Sequence, residues 1–266
     1  KTWGVQGRSE VWVGEQSGKT QDRGEVVPAT DCVVECASVA PKGNEKYVAL
    51  TFDEGPSGAT KQVLQVLKEK GVTATFFLSG DAAEASPATA KAIVDAGCEI
   101  GSNSYSDDSL KGKDREAVRK QITKGTEAIK SATGVETMLL RAPYAAFDEQ
   151  NWIDAMDLVS AVVSWNIDSG DWLLNGADEQ VSTVLESVTP GNIVLFTDSD
   201  ECSEQTLEAL PQIIDGLVAK GYKIVTLSDL VKTDTSLSKK LTSLTKTSMP
   251  KNAVFPQLAE DNDTTD

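Results

Sequence analysis

Apolar strand-like runs alternate with helix-like segments along most of this chain, and the alternation constrains the fold more than any other feature. Seven short runs, rich in β-branched and aromatic residues, cover 47–52, 73–78, 98–101, 138–140, 159–165, 193–196 and 222–226. Segments with one apolar helical face separate them, at 58–70, 87–96, 114–132, 178–187 and 203–220. This alternation predicts an α/β fold of parallel strands joined by crossover helices.

Polar blocks follow five of the seven strands. They begin at Asp53, Ser102, Arg141, Asn166 and Thr197. Taken alone, an acidic pair such as Asp53-Glu54 is more often a solvated strand end than a site. The carboxyl ends of parallel strands meet on one rim, however, so five such blocks together predict an active site there.

The length of the chain fits one domain of about 190 residues with flanking pieces. We expect an N-terminal extension at 1–45, a barrel domain at 46–231, and a polar segment with a flexible acidic tail at 232–266. Within the extension, 11–13 and 32–34 could form short strands. No internal repeat occurs beyond the strand–helix alternation.

The net charge of −16, from 41 acidic and 25 basic residues, excludes nucleic acid and anionic membrane surfaces as partners. No apolar run reaches the ~18 residues of a membrane span. No signal peptide is visible, and the chain starts at Lys1, as a mature or trimmed form would. Cys32 and Cys36 are close enough for a local disulfide, which would fit a secreted protein; unlinked thiols are an equal alternative.

Histidine is absent from all 266 residues. The usual proton shuttle near neutral pH and the commonest metal-binding side chain are therefore both missing. The scattered cysteines do not form a zinc pattern either.

The first polar block, Thr51-Phe52-Asp53-Glu54-Gly55-Pro56, is similar to the first motif of the polysaccharide deacetylase family, also called the NodB-homology domain or carbohydrate esterase family 4. That family reads Thr-Phe-Asp-Asp-Gly-Pro here, and four further blocks follow in its order. The resemblance covers roughly residues 46–231. It implies a distorted (β/α)7 barrel and a metal-dependent N-deacetylase of carbohydrate, secreted or at the cell surface.

The resemblance makes Asp53 the catalytic base and places Glu54 at a metal-ligand position. Asn103 and Asp107 fall where the family has its two metal-binding histidines. All three candidate ligands then offer oxygen, which makes zinc unlikely and leaves Mg²⁺, Mn²⁺ or Ca²⁺ as the possible cofactor. The expectation we favour is that no metal binds and that Glu54, Asn103 and Asp107 only hydrogen-bond one another.

The third and fourth family blocks are intact. Arg141 stands where the family pairs an arginine with the base to keep it ionised, with a surface ion pair as the alternative. Tyr144 stands where a backbone N–H supports the oxyanion. Asp171 corresponds to the residue that orients a catalytic histidine, and Trp172 to a sugar-groove residue, with ordinary core packing as the alternative for Trp172.

The fifth block runs from Ile193 to Asp198 and contributes Leu195 to the groove. Thr197 occupies the position of the acid histidine, and a hydroxyl cannot donate a proton near neutral pH as an imidazole does. We therefore predict a deacetylase-like protein that binds N-acetylated polysaccharide or peptidoglycan glycan with little or no turnover. The alternatives are an active hydrolase with an oxygen-ligated cation, in which Asp198 or a water acts as acid, and an interaction module without a glycan site.

Overall fold

The computed structural model describes residues 5–7, 19–20, 26–27, 35–155 and 158–237. Four short strands come first: β1 (Val5–Gly7), β2 (Lys19–Thr20), β3 (Val26–Val27) and β4 (Glu35–Ala37). The later strands are β5 (Lys46–Glu54), β6 (Thr75–Leu78), β7 (Glu99–Ser102), β8 (Leu139–Leu140), β9 (Ala161–Val163), β10 (Ile167–Asp168), β11 (Asn192–Thr197) and β12 (Tyr222–Ile224). The helices are α1 (Thr60–Lys70), α2 (Gly80–Ala85), α3 (Pro87–Asp95), α4 (Arg115–Thr133), α5 (Glu149–Ala155), α6 (Ala177–Ser187), α7 (Ser203–Ala219) and α8 (Leu227–Thr233).

Strands β5 to β12 are parallel and form one curled sheet. Its order is β10-β11-β5-β6-β7-β8-β9, with β12 paired to the start of β5. The two ends of this order, β9 and β10, are separated in the chain only by residues 164–166, so the sheet curls back towards itself. This confirms the predicted (β/α)7 barrel. The predicted fifth strand, 159–165, is observed as the shorter β9, and β10 lies in the polar block that was predicted to follow it. β9 pairs with β8, and β10 pairs with β11.

Strand β5 is paired on both sides within the barrel sheet and carries the first polar block. It pairs with β11 on one side and with β6 on the other, and both pairings extend to Asp53. The ring of Phe52 stacks between Phe76 and Phe196, with centroid distances of 4.9 and 5.2 Å. Burying each of these side chains stabilises the fold by about 1.5–3 kcal/mol. The strand end that presents Asp53 is therefore held by the core on the helix side of the sheet.

Three helices were not predicted from the sequence: α2, α5 and α8. They are six or seven residues long, which is too short to show a clear apolar period. Packing also continues beyond residue 231, because Leu237 is buried and the carboxylate of Asp234 accepts a hydrogen bond from the backbone of Ala40 at 3.0 Å. None of the helices in the described ranges is long and apolar enough to cross a membrane.

Two short strands extend the barrel sheet in the antiparallel sense. β1 pairs with β9, and β4 pairs with β1. The strands predicted at 11–13 and 32–34 lie outside the described residues, as do Cys32 and the tail from residue 238, so the Cys32–Cys36 disulfide stays a prediction. Cys98 and Cys202 are buried free thiols.

Candidate active site

The polar blocks converge at the carboxyl ends of the barrel strands, on a rim that we call the mouth. It is formed by Asp53, Glu54, Asn103, Asp107, Tyr144, Asp171, Trp172 and Thr197. Asp53 and Thr197 are register partners on β5 and β11, and Asn103 follows β7 directly. Every candidate catalytic and metal position from the sequence thus lies on this rim or, for Arg141, directly beneath it.

Arg141 is fully buried and forms a charged pair with Asp53. Its Nη1 donates to Asp53 Oδ1 at 2.8 Å and to the hydroxyl of Thr51 at 2.7 Å. Its Nε and Nη2 donate to the carbonyls of Val163 and Ser164 at 3.1 and 3.0 Å. The side chain is 0% exposed, so the alternative of a surface ion pair is wrong.

Burial has the largest effect on the pKa of Asp53. It raises the pKa of Asp53 to about 6, and the guanidinium of Arg141 lowers that pKa without reversing the shift. Arg141 therefore favours the ionised form of Asp53, as expected of a paired arginine, but it only partly offsets the effect of burial. A group with a pKa near 6 is still mostly ionised at neutral pH, so Asp53 keeps the protonation state that a general base requires.

Glu54 has no ion-pair partner within the described part of the chain. Its backbone lies in the left-handed region, with φ at 75°, a conformation that is strained for a residue with a Cβ. Its side chain is half-buried, and burial together with the charges of Asp107, Asp53, Asp171 and Asp198 raises the pKa of Glu54 to about 7. Its carboxylate accepts no hydrogen bond from any described residue.

The three candidate metal ligands do not hydrogen-bond one another. The expected hydrogen bonds among Glu54, Asn103 and Asp107 are therefore wrong. Asn103 Nδ2 donates to the carbonyl of Arg141 at 2.9 Å, and Asp107 accepts from the hydroxyl of Tyr144. Among the described residues, no group of three or more His, Cys, Asp and Glu side chains is placed to hold a metal ion. The oxygen-only donor set does not fit zinc, which prefers nitrogen and sulfur ligands.

Two aromatic side chains stand exposed on the rim. Trp172 is 56% exposed and Tyr144 is 67% exposed, so Trp172 is not ordinary core. The indole Nε1 of Trp172 donates to both carboxylate oxygens of Asp168, at 3.2 and 3.3 Å, which fixes the ring edge. Leu195, the other predicted groove residue, is buried in β11 at 7% exposure. An accessible, edge-fixed indole can stack on an apolar ligand face.

Asp171 is engaged by Thr197, the residue at the acid position. The backbone N–H and the hydroxyl of Thr197 donate to Asp171 at 2.6 and 3.2 Å, and the hydroxyl of Thr206 donates at 3.3 Å. Burial raises the pKa of Asp171, while these hydrogen bonds act to lower it. The carboxylate that would orient an imidazole instead holds a side chain that cannot act as a general acid.

Asp198 anchors the loop of the first block. It accepts from the hydroxyls of Ser57 and Thr60, each at 2.6 Å. Burial raises the pKa of Asp198, and these two bonds act to lower it. A Cβ on Gly55 would lie 2.2 Å from Asp198 Oδ2, so only glycine fits there. Both oxygens of Asp198 are occupied, which makes it a support for the loop rather than the free acid considered from the sequence.

Sequence reasoning missed several residues that support the site. Thr51 belongs to the first block but was given no role of its own, and Thr206 lies in a helix, where threonine carries no signal of function. Ser57 and Thr60 stand in the loop and first turn after Gly55-Pro56, and their position next to the first block is the only available sign. Their hydroxyls matter because each satisfies a buried carboxylate or guanidinium.

The geometry agrees with the comparisons with known proteins. The polysaccharide deacetylase family profile matches residues 40–159. A peptidoglycan-N-acetylglucosamine deacetylase of Bacillus cereus is 33% identical over 217 residues, covering 81% of this chain and 79% of that protein. A bifunctional xylanase/deacetylase of Pseudobutyrivibrio xylanivorans is 37% identical over 189 residues, which are 70% of this chain but only 31% of that longer protein.

A solved structure of a relative has the same fold. It is wild-type BA3943 of Bacillus anthracis, described as a CE4 family pseudoenzyme, which is 30% identical with a TM-score of 0.66 over 73% of this chain and 70% of that one. A mutant of the same protein, described as having restored enzymatic activity, matches equally well, with a TM-score of 0.66. With the barrel, the ordered blocks and these relatives in agreement, the chain belongs to the polysaccharide deacetylase family.

Proposed function

We propose that this chain is a glycan-binding member of the family with little or no zinc-type deacetylase activity. The observation that carries the proposal is the complete absence of imidazole from a site that otherwise keeps its framework. Thr197 stands at the acid position and is bonded to Asp171. Loss of general acid catalysis costs about 10²–10⁴ in rate, and loss of metal polarisation of a carbonyl costs several kcal/mol more.

The parts of the site that serve binding remain. Trp172 is exposed and fixed by Asp168, and Tyr144 stands on the same rim, fixed by Asp107. Aromatic faces of this kind suit stacking against the apolar face of a sugar ring. One relative is named as a peptidoglycan-N-acetylglucosamine deacetylase, and another is described as a pseudoenzyme of the same family. These names support N-acetylated cell-wall polysaccharide as the ligand class and a secreted or surface location.

Glycan binding is the direct test. We expect purified protein to bind peptidoglycan fragments or chitooligosaccharides, and Trp172→Ala to weaken that binding about tenfold or more. Val218→Ala is a matched control, because Val218 is also 56% exposed but lies at the end of α7, away from the rim. Binding that is equal in both variants, or no binding at all, would leave the chain as an interaction module without a glycan site.

A second candidate is a hydrolase of acetylated sugars that uses an oxygen-ligated cation. The half-buried carboxylate of Glu54, which accepts no hydrogen bond from any described residue and is influenced by the carboxylate of Asp107, favours it. Calorimetry with Mg²⁺, Mn²⁺ and Ca²⁺ separates this function from the first. Micromolar affinity for one of these ions that is lost in Glu54→Gln would support the hydrolase.

A further inference from the structure

The described residues of the mouth present hydrogen-bond acceptors to a ligand and almost no donors. Asp53 is only 8% exposed, and Arg141 occupies its Oδ1 alone; its Oδ2 has no donor within the described residues. Asn103 is 2% exposed, and its Nδ2 donates to the carbonyl of Arg141, while its Oδ1 accepts no hydrogen bond from a residue that the structure describes. In the described chain, only the side-chain amide of Gln180 is both fully buried and without a hydrogen-bond partner. The unpaired oxygens of Asp53 and Asn103 are therefore accessible from outside the protein.

Glu54 adds a charged acceptor beside these two oxygens. It makes no hydrogen bond or ion pair with any described residue, and the charges that act on it most strongly are carboxylates: Asp107, Asp53, Asp171 and Asp198. The nearby cation, Arg141, is fully buried, and all of its donor groups face Asp53, Thr51 and two carbonyls. The mouth therefore brings several carboxyl groups together, and among the described residues no cation other than the buried Arg141 faces them.

At these three acceptors an N-acetylated sugar fits less well than a free amino sugar. The carbonyl oxygen of an acetamide is an acceptor and meets only further acceptors at Glu54, Asn103 and Asp53. A free sugar amine, when protonated, has three N–H donors and no acceptor. Hydrogen bonds between an ammonium and a carboxylate are also stronger than those between neutral groups.

We propose that the mouth recognises a protonated amino sugar, a de-N-acetylated residue of a glycan chain, through Glu54, Asn103 and the free oxygen of Asp53. This inference rests on the proposed glycan-binding function and names the form of glycan that the site selects. The sugar ring stacks on Trp172. Its 2-ammonium group donates to the three acceptors and supplies a positive charge opposite their carboxylates. The protein then binds glycan that another enzyme has already deacetylated.

The test compares chitosan oligosaccharides with N-acetylated chitooligosaccharides of equal length, by calorimetry at neutral pH in EDTA. EDTA removes divalent ions that could bridge sugar and carboxylates. We expect the chitosan oligosaccharides to bind at least about tenfold more tightly, the effect of one charge-assisted hydrogen bond. Glu54→Gln should abolish this preference, whereas Trp172→Ala should weaken the binding of both oligosaccharides. Asp107→Asn gives a second charge variant should Glu54→Gln fold poorly.

A chain with a net charge of −16 attracts any polycation, so the control must remove the same charge elsewhere. Glu69→Gln does this: Glu69 is exposed near the end of α1, and α1 runs back from the mouth to the opposite end of the barrel. An equal loss in Glu54→Gln and Glu69→Gln would reduce the interaction to net charge and overturn the inference. Preference for the N-acetylated oligosaccharides would overturn it while leaving the proposed glycan-binding function intact. Binding of neither oligosaccharide would overturn both.

Discussion

Replacing Arg141 by Met tests the buried pair beneath the mouth. Methionine can keep the contact that the guanidinium makes with the ring of Phe77, 4.2 Å away, but it removes four hydrogen bonds and the charge opposite Asp53. Each neutral bond contributes about 1 kcal/mol, and removing one partner of a buried ion pair costs about 3–5 kcal/mol. Asp53 can take up a proton and relieve part of this cost, so we expect a loss of about 4 kcal/mol in the free energy of unfolding.

Urea unfolding followed by tryptophan fluorescence measures this loss. Lys70→Met is the control, because Lys70 pairs with Asp215 at 2.6 Å on the surface and should lose less than about 1 kcal/mol. Adding Asp53→Asn to Arg141→Met removes the uncompensated charge and should recover about 1–2 kcal/mol. If Arg141→Met loses no more than Lys70→Met, the pair does not hold the mouth in the way described here.

Three further predictions concern the same rim. Gly55→Ala should lower the free energy of unfolding by about 1–3 kcal/mol in thermal or urea unfolding, because its Cβ would overlap the anchored carboxylate of Asp198; an unchanged stability would contradict that contact. The pKa of Glu54 is raised on folding to about 7, so its stabilising effect is complete below about pH 4.5 and is lost as the pH rises through 7. At pH 8 the free energy of unfolding of Glu54→Gln should therefore exceed that of the parent by about 1 kcal/mol after solvent screening, and at pH 5 the two should be nearly equal. Urea unfolding measures both, and an equal gain in stability at both pH values would refute the raised pKa of Glu54. Thr197→Val should cost about 0.5–1.5 kcal/mol, since it removes the hydroxyl bond to Asp171 and keeps the backbone one, and a larger loss in thermal unfolding would show that the hydroxyl does more.

The barrel could be predicted because its signal is distributed over the whole chain. Each long strand, such as β5, is a compact apolar run that ends in polar residues, and each long helix, such as α4, has a clear apolar face. The three-residue strand β1 carries too little pattern to be found, and its pairing with β9 spans more than 150 residues of sequence. Local composition cannot encode a contact of that kind.

The site positions could be predicted from the order of the blocks, but the contacts between them could not. Whether Asn103 faces Asp107 or the carbonyl of Arg141 depends on how β7 and β8 lie beside each other, and the structure places its amide on Arg141. The left-handed backbone of Tyr144, with φ at 60°, brings its hydroxyl to Asp107, and no residue type in that stretch signals the turn. The effect of burial on the pKa of Asp53 likewise depends on the packed core.

Acetate release tests the central claim most directly. N-acetylated oligosaccharides and peptidoglycan fragments are incubated with the protein in EDTA and then with Zn²⁺, Co²⁺, Mn²⁺, Mg²⁺ and Ca²⁺ in turn. A variant that combines Glu54→Asp, Asn103→His, Asp107→His and Thr197→His is assayed beside it. We predict no release by the parent above the level of Asp53→Asn, and metal-dependent release by the combined variant. Release by the parent that needs one metal and disappears in Asp53→Asn would contradict the claim and show a working oxygen-ligated site.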